Sequence, residues 1–466
     1  MRAIYAIALM TVRSALRSHM VKVLVVLLIL AAVLLPMTIV GDDTAHGQLQ
    51  IMLNYCLGII GGLLSIVTLW LGCTSMGDDI EGYQIHMVLT KPVSRVTYWL
   101  GKWFGIIALQ VTLLVLAAIS VLAILYWRFE HAPFPDAQMI RLRQQVMVGR
   151  NAHDYDRMVG SGNIDFAGPG QLEQEVREEF VRQLDAGQVN PHPAITERTT
   201  RNQIRRTKRS RYEEMLPGAE RIWTWNRLPD FEGKEFVHLR FRMFVESATS
   251  KDHRQSTCMW WLKSGERVIQ KGPQPISTGT FQEMRIDTAL LSPERDLSIR
   301  FRNLDPKYES LVFPLADGPK ILVRSTGFVN NYMRVVALLI LQVMFVGIIG
   351  CTAGAALSTP VAIFLSVSYL VIGGSIMAMQ PTNPEDIVIP TKLLLKLGYY
   401  VREAADLIII SINEFNEIGR LAKGELVDWA NMISITIKMF VLRGIPIAAL
   451  GMWALHIKEL GLVTKR

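Results

Sequence analysis

The apolar residues of this chain are concentrated at its two ends, and this distribution restricts its fold more than any other feature. Several runs before residue 128 and after residue 327 are long enough to cross a hydrocarbon core of about 30 Å. The stretch between them has no such run. We therefore predict two membrane parts, residues 1–127 and 328–466, which flank a soluble insert at residues 128–327.

The lengths of the apolar runs predict a polytopic α-helical membrane protein with six transmembrane helices. These helices are expected at about residues 21–41, 49–76, 98–127, 331–357, 360–379 and 430–456. Residues 2–19 are expected to form an amphipathic helix at the membrane interface, or else the cytoplasmic start of the first span. The apolar side of that helix is predicted to carry Ile4, Ala8, Met10, Val12 and Leu16.

The positions of lysine and arginine predict the orientation of the chain. Basic residues flank the first span, the connector at 77–97 and the C-terminus, whereas the loop at 42–48 has none. Because cytoplasmic loops carry the excess of these residues, we place both termini and the connector in the cytoplasm. The insert and the loop at 380–429 then lie outside an inner (plasma) membrane, although that loop contains five basic residues: Lys392, Lys396, Arg402, Arg420 and Lys423.

The insert changes its hydrophobic period along its length. Residues 171–186 place Leu172, Val176, Phe180 and Leu184 on one helical face. Segments such as FVHLRFRMFV from residue 236 alternate in the manner of strands. We therefore predict an extracytoplasmic α+β domain, with a helical portion at 130–220 and a β-sandwich at 221–326.

Several function classes lack their sequence signals. Gly101 and Lys102 are followed by Trp103 and lack the earlier glycine of a Walker A motif, so the chain has no nucleotide site of its own. The two insert histidines, His192 and His253, have no ligand-like neighbours, so no metal is expected. The net charge of +8 is assigned to lipid and orientation signals and not to nucleic acid. We expect neither an enzyme nor a cofactor-binding chain.

The connector between the second and third spans reads GDDIEGYQIHMVLTKPVSR from Gly77 to Arg95. Its acids are expected at the start of a short helix over residues 80–90, where negative charge suits the positive helix end. Pro92 would end that helix, and Ser94 would cap the next one. Such a helix could dock on a soluble partner; the alternative is a solvated turn.

The segment from Asp79 to Gly101, with its acid-Ile-Glu-Gly start, KPVSR and LGK, resembles the signature of ABC-2-type permeases. It is most similar to the branch of multi-copper-enzyme-maturation permeases, and the similarity covers the two membrane parts but not the insert. The resemblance implies that residues 77–95 are a coupling helix that docks on an ATPase subunit. The residues that would shape it are Asp78, Asp79, Glu81, Gly82, Lys91, Pro92, Ser94 and Arg95. Tyr83 stands where the family often has threonine.

The same resemblance implies partners for the chain. It implies a homodimer or a paired permease, served by two ABC ATPases that bind ATP and Mg²⁺. The chain would be the transport subunit, and the partner ATPases would supply the energy. Alternatives are a mechanotransmission subunit that moves its outer domain against a periplasmic partner, and a membrane-anchored binding or sensor protein.

Three polar residues within the predicted spans are candidates for an intramembrane lining. A charge deep in a bilayer costs about 2.5–3.5 kcal/mol on insertion scales, so Lys438 and Arg443 should face protein or water, or else snorkel to the outer interface. Asn54 is expected to bond a neighbouring helix in preference to a substrate.

The insert offers two more candidate surfaces. The basic segment at 201–211 is either an anion-binding surface or a solvated helix face. The tryptophans at 223, 225, 260 and 261 form either a stacking platform or the core of the β region.

Overall fold

The computed structural model describes residues 2–38, 44–82, 85, 93–131, 134–162, 164–186, 195–226, 228–229, 235–245, 255–291, 295–304, 309–378 and 412–457. The described residues form two compact units. Those up to Gly149 and from Thr326 onward belong to the first, and Arg150–Ser325 belong to the second. The predicted outer loop at 380–429 lies outside the described residues as far as residue 411.

The first unit is helical. Its N-terminal helices are α1 (Arg2–Arg17), α2 (His19–Thr38), α3 (Ala45–Glu81), α4 (Arg95–Glu130) and α5 (Asp136–Gln145). Its C-terminal helices are α8 (Phe328–Ala356), α9 (Thr359–Ala378), α10 (Ile418–Ala422) and α11 (Trp429–Ile457), with a 3₁₀ turn at Ile412–Phe415. Both α2 and α11 contain a π-helical segment, at Leu30–Leu34 and Ile437–Gly444 respectively.

Five of these helices, α2, α3, α4, α8 and α11, are long and apolar enough to cross a membrane. A sixth helix, α9, has a shorter apolar segment, at Thr359–Ile372. The described residues therefore contain five candidate spans where six were predicted. These five apolar helices are compatible with a multi-pass membrane protein.

The helix α3 is longer than the apolar run that predicted it. It begins after Thr44, whose side chain accepts a hydrogen bond from the Gly47 amide, and continues through the acidic residues to Glu81. The expectation that Asp78, Asp79 and Glu81 start a separate helix is therefore wrong. No residue before Gly82 breaks the helix, so the charged turn simply extends it.

The helix α1 packs on α4 through residues that do not belong to its predicted membrane-facing side. Ile7, Thr11 and Ala15 are buried, whereas Met10 and Leu16 are exposed. Two glycines of α4 allow the approach, since a Cβ at Gly105 would lie 2.7 Å from the carbonyl oxygen of Ala8 and one at Gly101 would overlap Ile7. The side of α1 that is buried is therefore the side that lies against the glycines of α4.

The helices α3 and α8 approach each other closely at a set of glycines. A Cβ added to Gly72 would lie 2.8 Å from the backbone nitrogen of Cys351, and one added to Gly350 would lie 2.8 Å from the carbonyl oxygen of Leu69. Gly354 is equally confined, because its Cβ would lie 2.5 Å from the carbonyl oxygen of Cys73. Small residues at helix contacts are typical of membrane proteins, where packing drives association.

The second unit combines two helices with β-sheets. The helices are α6 (Pro169–Asp185) and α7 (Ile195–Glu213), and 3₁₀ turns lie at Thr288–Leu290 and Leu315–Asp317. The strands are β1 (Val148–Asp154), β2 (Arg157–Gly160), β3 (Ile164–Phe166), β4 (Glu214–Met215), β5 (Glu220–Trp225), β6 (Phe236–Arg242), β7 (Phe244–Val245), β8 (Gln255–Ser264), β9 (Arg267–Ser277), β10 (Phe281–Asp287), β11 (Leu297–Asn303), β12 (Leu311–Val312) and β13 (Lys320–Gly327). Strands β1 to β5 begin within residues 130–220, so the portion predicted as helical contains strands as well as helices.

The strands form three sheets. Their orders are β1-β13-β6-β10, β3-β2-β5-β11-β8-β9 and β4-β12-β7. Side chains of the first two sheets meet in an aromatic cluster, in which the Phe241 and Trp260 rings lie 4.6 Å apart and the Trp260 and Phe301 rings 4.5 Å apart. Trp223, Trp225 and Trp260 are buried and Trp261 is half-buried, so the core alternative accounts for the first three.

Candidate functional site

The candidate site lies where four helix termini of the first unit meet: the end of α3, the start of α4, the start of α9 and the end of α11. Gly82 ends α3, and its amide donates to the carbonyl oxygen of Asp78 at 2.8 Å. Ser94 caps α4 as predicted, since its hydroxyl accepts a hydrogen bond from the Thr97 amide at 3.1 Å. Of the residues between, Ile85 and Val93 are described; Ile85 is buried and Val93 is half-buried. Lys91, Pro92 and most of the predicted coupling helix lie outside the described residues.

Asp79 lies in the last turn of α3, where the helix dipole disfavours a negative charge. Two side chains of α4 compensate. The Lys102 ammonium lies 2.6 Å from Asp79 Oδ2, and the Tyr98 hydroxyl donates to the same oxygen. Lys102 also donates to the carbonyl oxygen of Ser75 at 3.1 Å and to its hydroxyl at 3.2 Å. The carboxylate thus joins the end of α3 to the first two turns of α4.

Glu81 extends from α3 to the start of α9. Its Oε1 accepts a hydrogen bond from the backbone amide of Thr359 at 2.9 Å, and the Thr359 hydroxyl lies 3.5 Å from Asp78 Oδ1. Thr359 is the first residue of α9, so both carboxylates lie at the positive end of that helix. Asp78 and Glu81 therefore lie at a helix N-terminus, as expected. That N-terminus belongs to α9 and not to a helix that begins at the acids themselves.

Arg95 makes the corresponding contact at a helix C-terminus. Its Nη1 donates to the carbonyl oxygens of Leu455 at 2.8 Å and His456 at 2.5 Å. These residues belong to the last turn of α11, where backbone carbonyls lack partners within the helix and a cation is favoured. The two ends of the connector are thus bonded to α9 and α11, two helices of the C-terminal part. Neither bond was predicted from the sequence.

Lys438 and Arg443 lie in the π-helical segment of α11 and share a counter-ion, Glu414. The Lys438 ammonium lies 2.7 Å from Glu414 Oε2, and Arg443 Nη1 lies 3.5 Å from Oε1. Both cations therefore share one carboxylate, with the Lys438 side chain half exposed and the Arg443 side chain largely buried. Asn54 is exposed and has no hydrogen-bond partner among the described residues, so the predicted bond to a neighbouring helix is not found there.

The basic segment at 201–211 pairs with acids of α6 through two of its cations, Arg205 and Lys208. Arg205 pairs with Glu173 at 2.9 Å, and the Lys208 ammonium lies 3.9 Å from Glu175 and 4.0 Å from Glu179. These contacts favour a paired helix face over an anion-binding surface. His192 and His253 lie outside the described residues, and the described residues contain no His, Cys, Asp and Glu group that could hold a metal ion.

A buried ion pair in the second unit was missed by the sequence analysis. Arg150 bonds both carboxylate oxygens of Glu283, at 2.7 and 2.9 Å, and its side chain is only 1% exposed. Burial alone would raise the pKa of Glu283, but the charge and hydrogen bonds of Arg150 hold it below its usual value. Burial also lowers the pKa of the neighbouring His238 to about 4. The residues alternate along strands, yet no local signal shows which strand faces which.

The chain matches no protein-family model, no curated protein and no solved structure.

Proposed function

We propose that the chain is the transmembrane permease subunit of an ATP-binding-cassette transporter of the ABC-2 type. The resemblance of residues 79–101 to that family supports this assignment. So does a set of five apolar helices that could span a membrane. ATP and Mg²⁺ bind a separate ATPase in this proposal, and the chain itself is a homodimer or a paired permease without enzymatic activity.

The observation that carries the proposal is the bonding of the connector at both of its ends. Glu81 bonds the first residue of α9, and Arg95 bonds the last turn of α11. A force applied to residues 83–92 by a docked protein would therefore be transmitted to two helices of the C-terminal half. Covalent connection alone would transmit it only to α3 and α4. This arrangement suits a coupling element.

The proposal also specifies the number of spans, the arrangement of the sheets and the orientation of the chain. The helix α9 serves as the sixth span, since it extends over 20 residues. The two larger sheets form a β-sandwich, which the Phe241–Trp260 contact supports. Both termini and the connector lie in the cytoplasm and residues 128–327 outside the inner membrane, as the distribution of lysine and arginine favours.

A second candidate is mechanotransmission, in which the outer domain moves against a periplasmic partner and no substrate crosses through the chain. One observation favours it: β13 ends at Gly327 and α8 begins at Phe328, so the chain passes from a strand to a membrane helix without a linker. Uptake or release of labelled compounds by vesicles that contain the complex separates the two candidates. Transport would support the permease, and ATP-dependent protection changes in 150–325 without transport would support mechanotransmission.

The test of the permease assignment is to search the neighbouring reading frames for a Walker A motif and to co-express any ABC ATPase found there with the chain. We expect the two proteins to co-purify and the permease to stimulate ATP hydrolysis. Glu81→Lys places a cation at the N-terminus of α9, so it should abolish the stimulation while membrane insertion is retained. The control is Arg420→Gln, because Arg420 is exposed and its nearest acids lie 3.6 and 3.8 Å away.

Two outcomes would overturn the assignment. One is that no ABC ATPase co-purifies with the wild-type chain. The other is that Glu81→Lys stimulates hydrolysis as strongly as Arg420→Gln does, which would remove the coupling role of the connector.

A further inference from the structure

A cavity of about 790 Å³ lies within the first unit, between the end of α4, the helix α5 and the start of α8. Its volume falls in the range of about 300–1,000 Å³ that is typical of small-molecule sites. The wall is mostly apolar and contains Tyr126, Phe129, Met139, Met147, Phe328 and Val329. Methionine side chains adapt to irregular partners, so such a wall suits a flexible hydrocarbon chain.

Two opposite charges line the same cavity. Glu130 is the last residue of α4, and Arg143 lies in the last turn of α5. Neither side chain forms an ion pair or a hydrogen bond with any residue in the part of the chain that the structure describes. A carboxylate and a guanidinium left without protein partners beside an apolar wall fit a ligand that has both signs of charge and an apolar portion.

The cavity is continuous with a surface of exposed apolar side chains. Tyr126 and Val329 line it and are 42% and 46% exposed, and the neighbouring Trp127 and Met333 are 55% and 56% exposed. Tyrosine and tryptophan at the end of a spanning helix are typical of the membrane–water interface. A molecule that reaches this cavity from the bilayer would thus present its headgroup at the level of Glu130 and Arg143.

We propose that this cavity binds a phospholipid with a phosphoethanolamine headgroup. Arg143 binds the phosphate through charge-assisted hydrogen bonds, and Glu130 accepts hydrogen bonds from the ammonium. An acyl chain lies along Phe129, Met147 and Phe328. A trimethylated choline headgroup has no N–H to donate, and a glycerol headgroup has no cation, so both should bind less well. The proposal does not depend on the nucleotide-driven function.

Native mass spectrometry of the full chain, purified in detergent and stripped of lipid, tests the site. Equal amounts of phosphatidylethanolamine, phosphatidylcholine and phosphatidylglycerol are added, and we expect the first to be retained most strongly. Arg143→Gln should lower the retention of all three about tenfold, since it removes the phosphate contact. Glu130→Gln should lower phosphatidylethanolamine alone to the level of phosphatidylglycerol. Arg141→Gln is the control, because Arg141 is exposed on the same helix and does not line the cavity.

Equal retention of the three lipids by the wild-type chain would overturn the proposal, because it would mean lipid held only at the general surface. Unchanged retention in both Arg143→Gln and Val329→Trp, which fills the cavity, would overturn it as well. Where a variant does not fold, the preference of the wild-type chain for phosphatidylethanolamine over phosphatidylglycerol decides the outcome alone.

Discussion

Two pairs of charged residues, one pair in each unit, bond different kinds of partner. In the first unit, Glu81 and Arg95 bond backbone groups at helix ends that have no partner within their own helix. In the second unit, Arg150 on β1 and Glu283 on β10 bond each other and are almost completely buried. A helix end leaves several backbone groups free, whereas an interior sheet uses nearly all of its own.

This difference separates two physical roles. A side chain that caps another helix connects two elements while remaining partly exposed. When it is removed, water can replace its hydrogen bonds, so less stability is lost. Water does not reach a buried ion pair. Removal of one partner therefore leaves the other charge buried, with neither a counter-charge nor solvent to stabilise it. The first arrangement allows adjustment at the connector, and the second holds the sheet in one register.

The largest effect should follow from breaking the buried pair. Glu283→Ala leaves Arg150 buried and alone, which we expect to lower the free energy of unfolding by about 3–5 kcal/mol. Urea-dependent pulse proteolysis of the full chain, read at residues 150–325, measures it. Asp165→Asn is the matched control, because its partner Arg157 lies on an adjacent strand and both side chains are more than half exposed. A loss no greater than that of the control would contradict the comparison.

A smaller effect should follow from acid. Burial lowers the pKa of His238 to about 4 from an ordinary value of 6.5, and the charges of Arg150 and Arg285 act in the same direction while Glu283 opposes them. The unfolded chain then binds more protons between pH 6.5 and 4, so stability is full above this window and falls as the pH drops through it. The loss is at most about 3 kcal/mol.

Pulse proteolysis at stepped pH measures this loss, and His238→Gln should flatten the upper part of the curve. Below the ordinary pKa of 4.5, protonation of Glu283 adds a second loss, because the folded protein holds the pKa of that carboxyl below this value. An identical pH profile in wild type and variant would show that His238 is not the titrating group.

The smallest effect should follow from loss of a cap in the first unit. Arg95→Gln removes the charge that bonds the two carbonyls of α11, and the partial exposure of Arg95 limits the cost to roughly 1–2 kcal/mol. A thermal-shift measurement in detergent detects it. Arg13→Gln on the exposed face of α1 is the control. A shift that equals that of Glu283→Ala would remove the distinction between the two units.

Sequence patterns predicted the features that depend on residues close together along the chain. The Ser94 cap and the apolar helices follow from local patterns, and both are present. The partner of Glu81 could not be predicted, because Thr359 lies 278 positions away. The strands β1 and β2 were missed because VGRNAHD and RMVG are poor in β-branched and aromatic residues, so pairing with neighbouring strands and not local propensity forms them.

The acids of the connector show how a sound physical principle can be applied to the wrong element. Negative charge does lie at a positive helix end, as expected, but Gly77 does not interrupt α3 and the acids extend it. The side chains then reach α9, which follows much later in the chain. Charge preference is readable in sequence, and the identity of the helix that satisfies it is set by the tertiary packing.

The glycine contact between α3 and α8 also limits how this protein can change shape. Backbone atoms that approach as closely as those around Gly72 and Gly350 leave no gap for sliding. Those two helices should travel as one rigid body. Any change of shape in the first unit must then occur at contacts other than this one.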